Sequence, residues 1–275
     1  MNKNVVFSLF VIVILGSATA GYFYRKQQEN QHKPQTPKVV ELPLPSPAPA
    51  ETPQPQVQVQ QSIEPAPVKT PLPQLNESDS FMLDALTGLI SDKSLRKYLR
   101  TDQIIHHIAA TIDNLPRRQA PINVLPVKQV AGKFLTAGKD NEKIISPKNA
   151  SRYTPYVRIA ELIDAKQLVE LYVRLYPLFQ QAYEELGYPK HYFNDRLIIT
   201  LNDLLAAPVI KQPVKLVQPS VYYKYADPDL EALSIGQRIL IRIGSDNEEK
   251  VQNKLIEIKQ QLLTHMHDKT IESTE

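Results

Sequence analysis

Proline sets the first limit on what this chain can fold into. Of its 23 prolines, 12 fall between Pro34 and Pro73. Inside a helix a proline removes an N–H and clashes with the preceding turn, and inside a sheet it removes a ladder hydrogen bond. The stretch therefore cannot build either element. Between Arg25 and Leu75 the chain also carries ten glutamines, no glycine and few large apolar side chains, too little buried surface to offset chain entropy. Residues 25–74 are expected to be a disordered, Pro- and Gln-rich linker. At about 3.1 Å per residue in the polyproline conformation its upper reach is about 160 Å. It reads first as a stiff tether; Leu42-Pro43-Leu44-Pro45 and Pro71-Leu72-Pro73 also suit a polyproline-reading domain, a rarer arrangement.

The segment before the linker is of the opposite kind. Val5 to Tyr24 holds no charged residue and is bracketed by Lys3 and Arg25-Lys26. A helix of that length spans roughly 30 Å, the hydrocarbon thickness of a bilayer. Residues 1–24 are expected to be a single transmembrane anchor, with Tyr22-Phe23-Tyr24 as an interfacial belt and Arg25-Lys26 as a stop. The alternative is a signal peptide cut after Ala18-Thr19-Ala20. Basic residues flank both ends, so the positive-inside rule does not decide orientation. The Pro-rich segment favours a domain in the periplasm, tethered to the inner membrane through residues 5–24.

From Leu75 to about His267 aliphatic residues recur at helical spacing and prolines become isolated punctuation. A mainly α, multi-helix domain with a small β-hairpin is expected over 75–267, followed by a flexible tail over 268–275. Asn76, Ser78 or Asp79 starts a first helix, Ser91 or Asp92 a second towards Leu99, and Asp102 a third that ends at Pro116. Lys133–Leu135 and Lys143–Ile145 flank Gly138-Lys139-Asp140-Asn141, a hairpin pattern, and one small sheet at most is expected. Asp164 with Gln167 opens a helix along Leu168, Leu171, Tyr172, Leu175, Phe179 and Ala182, stopped by Gly187. Pro177 predicts a kink or break in it near Tyr176. Asn194 caps the next helix, Leu216 to Tyr225 is extended, and Asp227-Pro228 and Ser234 each open a helix. Ser245-x-x-Glu248 reads as a capping box for the last.

These segments resemble a family. Leu75-Asn76-Glu77-Ser78-Asp79, Tyr172 to Gly187, Phe193 to Leu197 and Val221 to Leu233 are similar to bacterial proteins grouped as domain-of-unknown-function family 3014. Asn76 and Ala150 depart from its pattern, which has Asp and Tyr there. The resemblance covers nearly the whole globular part and implies the same layout of anchor, proline-rich spacer and domain. It implies no activity and no catalytic residue.

Composition excludes several chemistries. Without cysteine there is no thiol nucleophile, disulfide framework or Cys-ligated metal. Eight glycines form no phosphate-cradling fingerprint. The 32 basic residues nearly balance 29 acidic ones, which argues against a nucleic-acid partner. Ser94-x-x-Lys97 lacks the companion elements that penicillin-recognising enzymes need. His106-His107 are read as packing or surface residues rather than metal ligands; His265-x-His267 lies at the fraying end of the chain, where it could trap a metal only fortuitously, and no cofactor is expected.

What remains is a corner between two helices. Tyr188, His191, Tyr192, Asn194, Asp195 and Arg196 gather there, with Tyr222 and Tyr225 as further candidates among ten tyrosines between Tyr153 and Tyr225. His191 and Asp195 suit an acid–base pair; equally, Asn194 and Asp195 suit a helix cap with the aromatics filling the hinge. Arg117 to Arg158 holds nine basic and two acidic residues, a segment suited to an anionic surface. The leading expectation is a non-enzymatic, membrane-tethered envelope protein that binds another envelope protein. The alternative is a cell-wall carbohydrate binder or hydrolase using His191 and Asp195.

Overall fold

The computed structural model describes residues 71–89, 97–119, 127–128, 130–139 and 142–272, the last six of these as backbone only. Several expectations fall outside the described residues. They are the anchor over 5–24, the linker up to residue 70, the helix expected around Leu95 with Ser94, the Asp140-Asn141 turn residues, the His267 side chain and the side chains of the tail.

Among the described residues the domain is mainly helical, with two short antiparallel strand pairs. A 3-10 turn at Leu75–Glu77 leads into α1, Asp79–Leu89, where the Ser78 hydroxyl donates to the Leu75 carbonyl at 2.7 Å. Leu99 makes a single bridge to Val127. In α2, Ile104–Asn114, the start differs from expectation. Asp102 does not cap it; its carboxylate pairs with Arg100 at 2.8 Å. The cap is Asp79, whose two carboxylate oxygens accept from the N–H groups of Gln103 and Ile104 at 2.7 and 2.8 Å. Asp79 thus opens α1 and closes the orphan donors of α2 together.

The expected first hairpin is present as β1, Thr136–Ala137, paired with β2, Ile144–Ile145. A second follows, β3, Leu216–Val217, paired with β4, Lys224–Tyr225, so two strand pairs form where one was expected. Both are two residues long, and neither carries an alternation long enough to read as a strand. A bridge between Ile144 and Lys215 sets β2 beside β3.

The helix α3, Lys148–Glu161, was not expected from the sequence: it follows Pro147 without a side-chain cap and carries Pro155 inside, and burial of Tyr153, Tyr156, Val157 and Ala160 sets it. Three further helices behave largely as their local signals demand. They are α4, Ala165–Glu185, opened by the Asp164 side chain accepting from the Gln167 N–H; α6, Pro228–Ala232, capped by Asp227; and α7, Ile235–Ile243, opened by a full capping box between Ser234 and Gln237. Pro177 does not break α4, which runs unbroken through it. The cost of about 3 kcal/mol is outweighed because Leu175, Tyr176, Leu178 and Phe179 around it are all buried. Between α4 and α7 lies α5, Phe193–Leu205.

The last helix, α8, Ser245–Glu272, is the spine. It packs against α3, α4, α5 and α7 through Val251, Leu255, Ile258 and Leu262, each no more than 2% exposed. The expected capping box at its start does not form. Gly244 ends α7 and α8 begins at once, so Ser245 is already helical and its hydroxyl turns to Asp246. Glu248 falls on the inner face instead. No helix among the described residues is long and apolar enough to cross a membrane.

Candidate functional site

The corner between α4 and α5 gathers most of the residues that the sequence singles out. Gly187, with φ of 105°, is the left-handed residue that lets the chain leave α4, a conformation costly for other residues. Six residues later α5 begins. Its start is held from across the corner: the Gln180 amide oxygen accepts from the Phe193 N–H at 2.8 Å and from the Tyr176 hydroxyl at 3.0 Å. The Gln180 amide nitrogen donates to the His191 carbonyl at 2.9 Å. One side chain of α4 therefore clamps both sides of the turn.

Beneath the corner lies an aromatic stack. Phe179 and Phe193 are parallel with centroids 5.6 Å apart, Tyr183 stacks on Tyr188 at 4.7 Å, and Tyr172 leans on Phe179 and Phe193. Burial pushes the Tyr183 phenol up to about 12 and Tyr172 well above its ordinary value, so both stay neutral. Asn194 is not the cap of α5. It is the helix's second residue, fully buried, and its side-chain oxygen accepts from the Tyr172 hydroxyl. Tyr192 occupies the capping position.

One side of the corner is locked by charge. Asp113, at the end of α2, receives Arg117 at 2.6 Å and Arg196 at 3.0 Å. Tyr188 donates to the same carboxylate at 3.3 Å while accepting from Arg117 at 2.6 Å. Asp113 and Arg117 were not among the residues expected from sequence. Their i,i+4 spacing was the available signal, but nothing local ties them to Arg196, 83 residues from Asp113. His106 is drawn to the end of α4 by Glu185 at 2.8 Å, while the His107 Nδ1 meets the Asp102 carbonyl at 2.9 Å. The two imidazoles serve different partners, and no group of three or more potential metal ligands forms among the described residues.

The outer side of the corner faces solvent. His191 is exposed, Asp195 is half-buried, and burial raises the Asp195 carboxyl above its ordinary value, partly offset by His191. Tyr192 is 38% exposed and Ile199, two turns along α5, is 50% exposed. Tyr192, Asp195 and Ile199 follow i, i+3, i+7 and share one face of the helix. Tyr222 and Tyr225 lie elsewhere, in the β3–β4 hairpin. Tyr225 is buried in a separate apolar cluster with Leu216 and Ile241, and its hydroxyl donates to the Arg238 carbonyl at 2.7 Å. An apolar crevice lined by Leu115, Leu204, Gly236 and Leu255 is too narrow to admit water and is not at the corner.

Fold and site together define a helical domain with a rigidly braced, solvent-facing corner. The chain belongs to the protein family of unknown function DUF3014, whose pattern matches residues 104–259. That span contains Asp113, the whole α4–α5 corner and both hairpins. No curated protein and no solved structure matches the chain.

Proposed function

We propose that this chain is a membrane-tethered envelope protein, anchored in the inner membrane through residues 5–24, whose periplasmic helical domain is held out on a Pro-rich spacer to bind another protein. The observation that carries the reading is the exposed Tyr192, Asp195 and Ile199 face of α5. An aromatic and an aliphatic side chain stand in solvent on a corner held by Gln180, Asp113 and the aromatic stack, and such pre-ordered aromatic anchors suit protein recognition. The uncharged run Val5 to Tyr24 and the proline content of residues 34–73 support the tether.

A photo-crosslinking residue placed at 192 or 199 of the full chain in its native envelope tests the reading. A discrete product is expected from both positions and not from exposed Thr264 on α8. Equal trapping at all three positions, or none at 192 and 199, refutes it.

The second reading, a cell-wall carbohydrate binder or hydrolase, has one observation in its favour. A carboxyl raised by partial burial at Asp195 sits beside exposed His191, the pairing that general acid–base chemistry uses. Product release from purified cell-wall material, lost in Asp195→Asn, supports it; unchanged release, or no release from the unaltered chain, counts against it.

A further inference from the structure

The two hairpins form one end of the domain. β1 pairs with β2 and β3 with β4, all antiparallel. The Ile144–Lys215 bridge is antiparallel too, reinforced by the Ile145 N–H donating to the Val214 carbonyl at 3.0 Å and the Leu216 N–H to the Lys143 carbonyl at 2.7 Å. Three successive reversals bring the ends of both strand pairs, Gly138-Lys139 with Glu142-Lys143 and residues 218–223, to the same end. The Lys143 ammonium confirms their closeness, lying 3.2 Å from the Tyr223 hydroxyl and 5.5 Å from its ring centre.

The two faces of this ribbon differ. Leu216 and Tyr225 point inward onto Ile241. Val217, opposite Lys224, points outward and is 46% exposed, and Val221 at the second turn is 79% exposed, more than any other large apolar residue described. Lys139, Lys215 and Lys224 are exposed around them. Residues 211–225 contain three lysines and no acid, and the first turn adds Lys139 and Lys143 against Asp140 and Glu142. A protruding apolar tip ringed by lysine and tyrosine fits a surface that yields to it and carries negative charge. Apolar side chains entering the headgroup layer, with cations over lipid phosphates, are how interfacial segments bind.

We propose that the hairpin end seats the domain on an anionic lipid bilayer, with Val221 entering the headgroup layer and Lys139, Lys143, Lys215 and Lys224 lying over lipid phosphates. This rests on the tethered reading only for placing a bilayer within reach. The spacer sets how far out the domain can reach, not how near it can come: about 50 residues keep it at high local concentration near its own membrane, and the hairpin end is the face on which it rests between encounters with a partner. The Tyr192 and Ile199 face lies on a different element and stays available to a partner.

The absence of cysteine makes the test direct. Val221→Cys and Ile199→Cys variants of the full chain are each labelled with an environment-sensitive fluorophore. They are reconstituted with phosphatidylcholine vesicles, with or without about a third of phosphatidylglycerol, enough to set up a negative surface potential. The probe at 221 is expected to report an apolar setting on anionic vesicles only, and to lose it in about 0.5 M salt, where the Debye length shrinks to a few Å. Lys215→Gln and Lys224→Gln are each expected to weaken the seating equilibrium on the anionic vesicles about five-fold. The probe at 199 should not respond.

The same response at 221 on neutral and anionic vesicles overturns the proposal. So does an equal response at 199, or a response to a soluble acidic peptide or polyanion instead of vesicles. Flotation with neutral vesicles reads the anchor separately: a chain that fails to float there undermines the tether and leaves the comparison at 221 to decide the seat.

Discussion

Glu248 is the residue whose surroundings differ most from what its neighbours in sequence suggest, and its titration is the sharpest test of the fold. It is 1% exposed, and neither carboxylate oxygen has a hydrogen-bond partner among the described residues. Burial, with the adjacent charge of Glu249, pushes its carboxyl from an ordinary 4.5 up to about 8. Between those two pH values the folded chain holds a proton there that the unfolded chain has released. Stability must then fall as pH rises through that window, at about 1.4 kcal/mol per pH unit, to a ceiling of about 5 kcal/mol near pH 8.

Glu248→Gln keeps the shape and removes the titration. Urea unfolding of the two full chains should give closely similar stabilities near pH 4.5, and a variant more stable by about 3–5 kcal/mol near pH 8. Taking the difference between the two chains cancels other titrating groups. One of these is His107, whose imidazole is held below its ordinary value by burial and whose effect has the opposite sign, stability being lost as pH falls. Parallel curves from pH 4.5 to 8, or a variant that loses stability at pH 8, would refute the reasoning that places Glu248 in the core.

Three further outcomes follow from single contacts. Asp113→Asn removes the charge that Arg117 and Arg196 share at 2.6 and 3.0 Å and should cost about 3 kcal/mol by denaturant unfolding; a loss under 0.5 kcal/mol would show that the corner is held by its aromatics alone. Asp79→Ala uncaps α2 and should cost about 1–2 kcal/mol, with faster amide exchange at Gln103 and Ile104 before any change in α8. Gly236→Ala improves helix propensity by about 1 kcal/mol, yet its Cβ would stand 2.5 Å from a Leu204 methyl and 3.3 Å from the Leu115 carbonyl. A net loss of about 1–2 kcal/mol is expected from overpacking, largely recovered when Leu204→Ala is added; a gain in melting temperature for Gly236→Ala alone would show slack at that crossing.

The helices were legible wherever both partners of the starting contact lie within one turn. Asp164 with Gln167, Asp227 with Asp229, and Ser234 with Gln237 are local pairs, and each was readable from spacing alone. The corner was readable in part. Gly187 and the aromatic density around Tyr188 mark it, but Asn194 reads locally as a surface cap because Asn commonly is one, and only Tyr172, 22 residues away, explains its burial. Pro177 shows the same limit from the other side, since its local cost is real and the packing around it is larger.

By itself the sequence determined that prolines crowd residues 34–73, that the described part beyond them is mainly helical, and where most of those helices begin. Those properties come from composition and from contacts three or four residues apart. The tertiary structure alone decided that Asp79 caps α2, that Gln180 opens α5, that Asp113 meets Arg196, and that Glu248 is buried rather than capping. Each of these joins groups separated by more than a turn, or turns a side chain toward a core that its neighbours in sequence do not define, so the free energy that selects it exists only once the helices have packed.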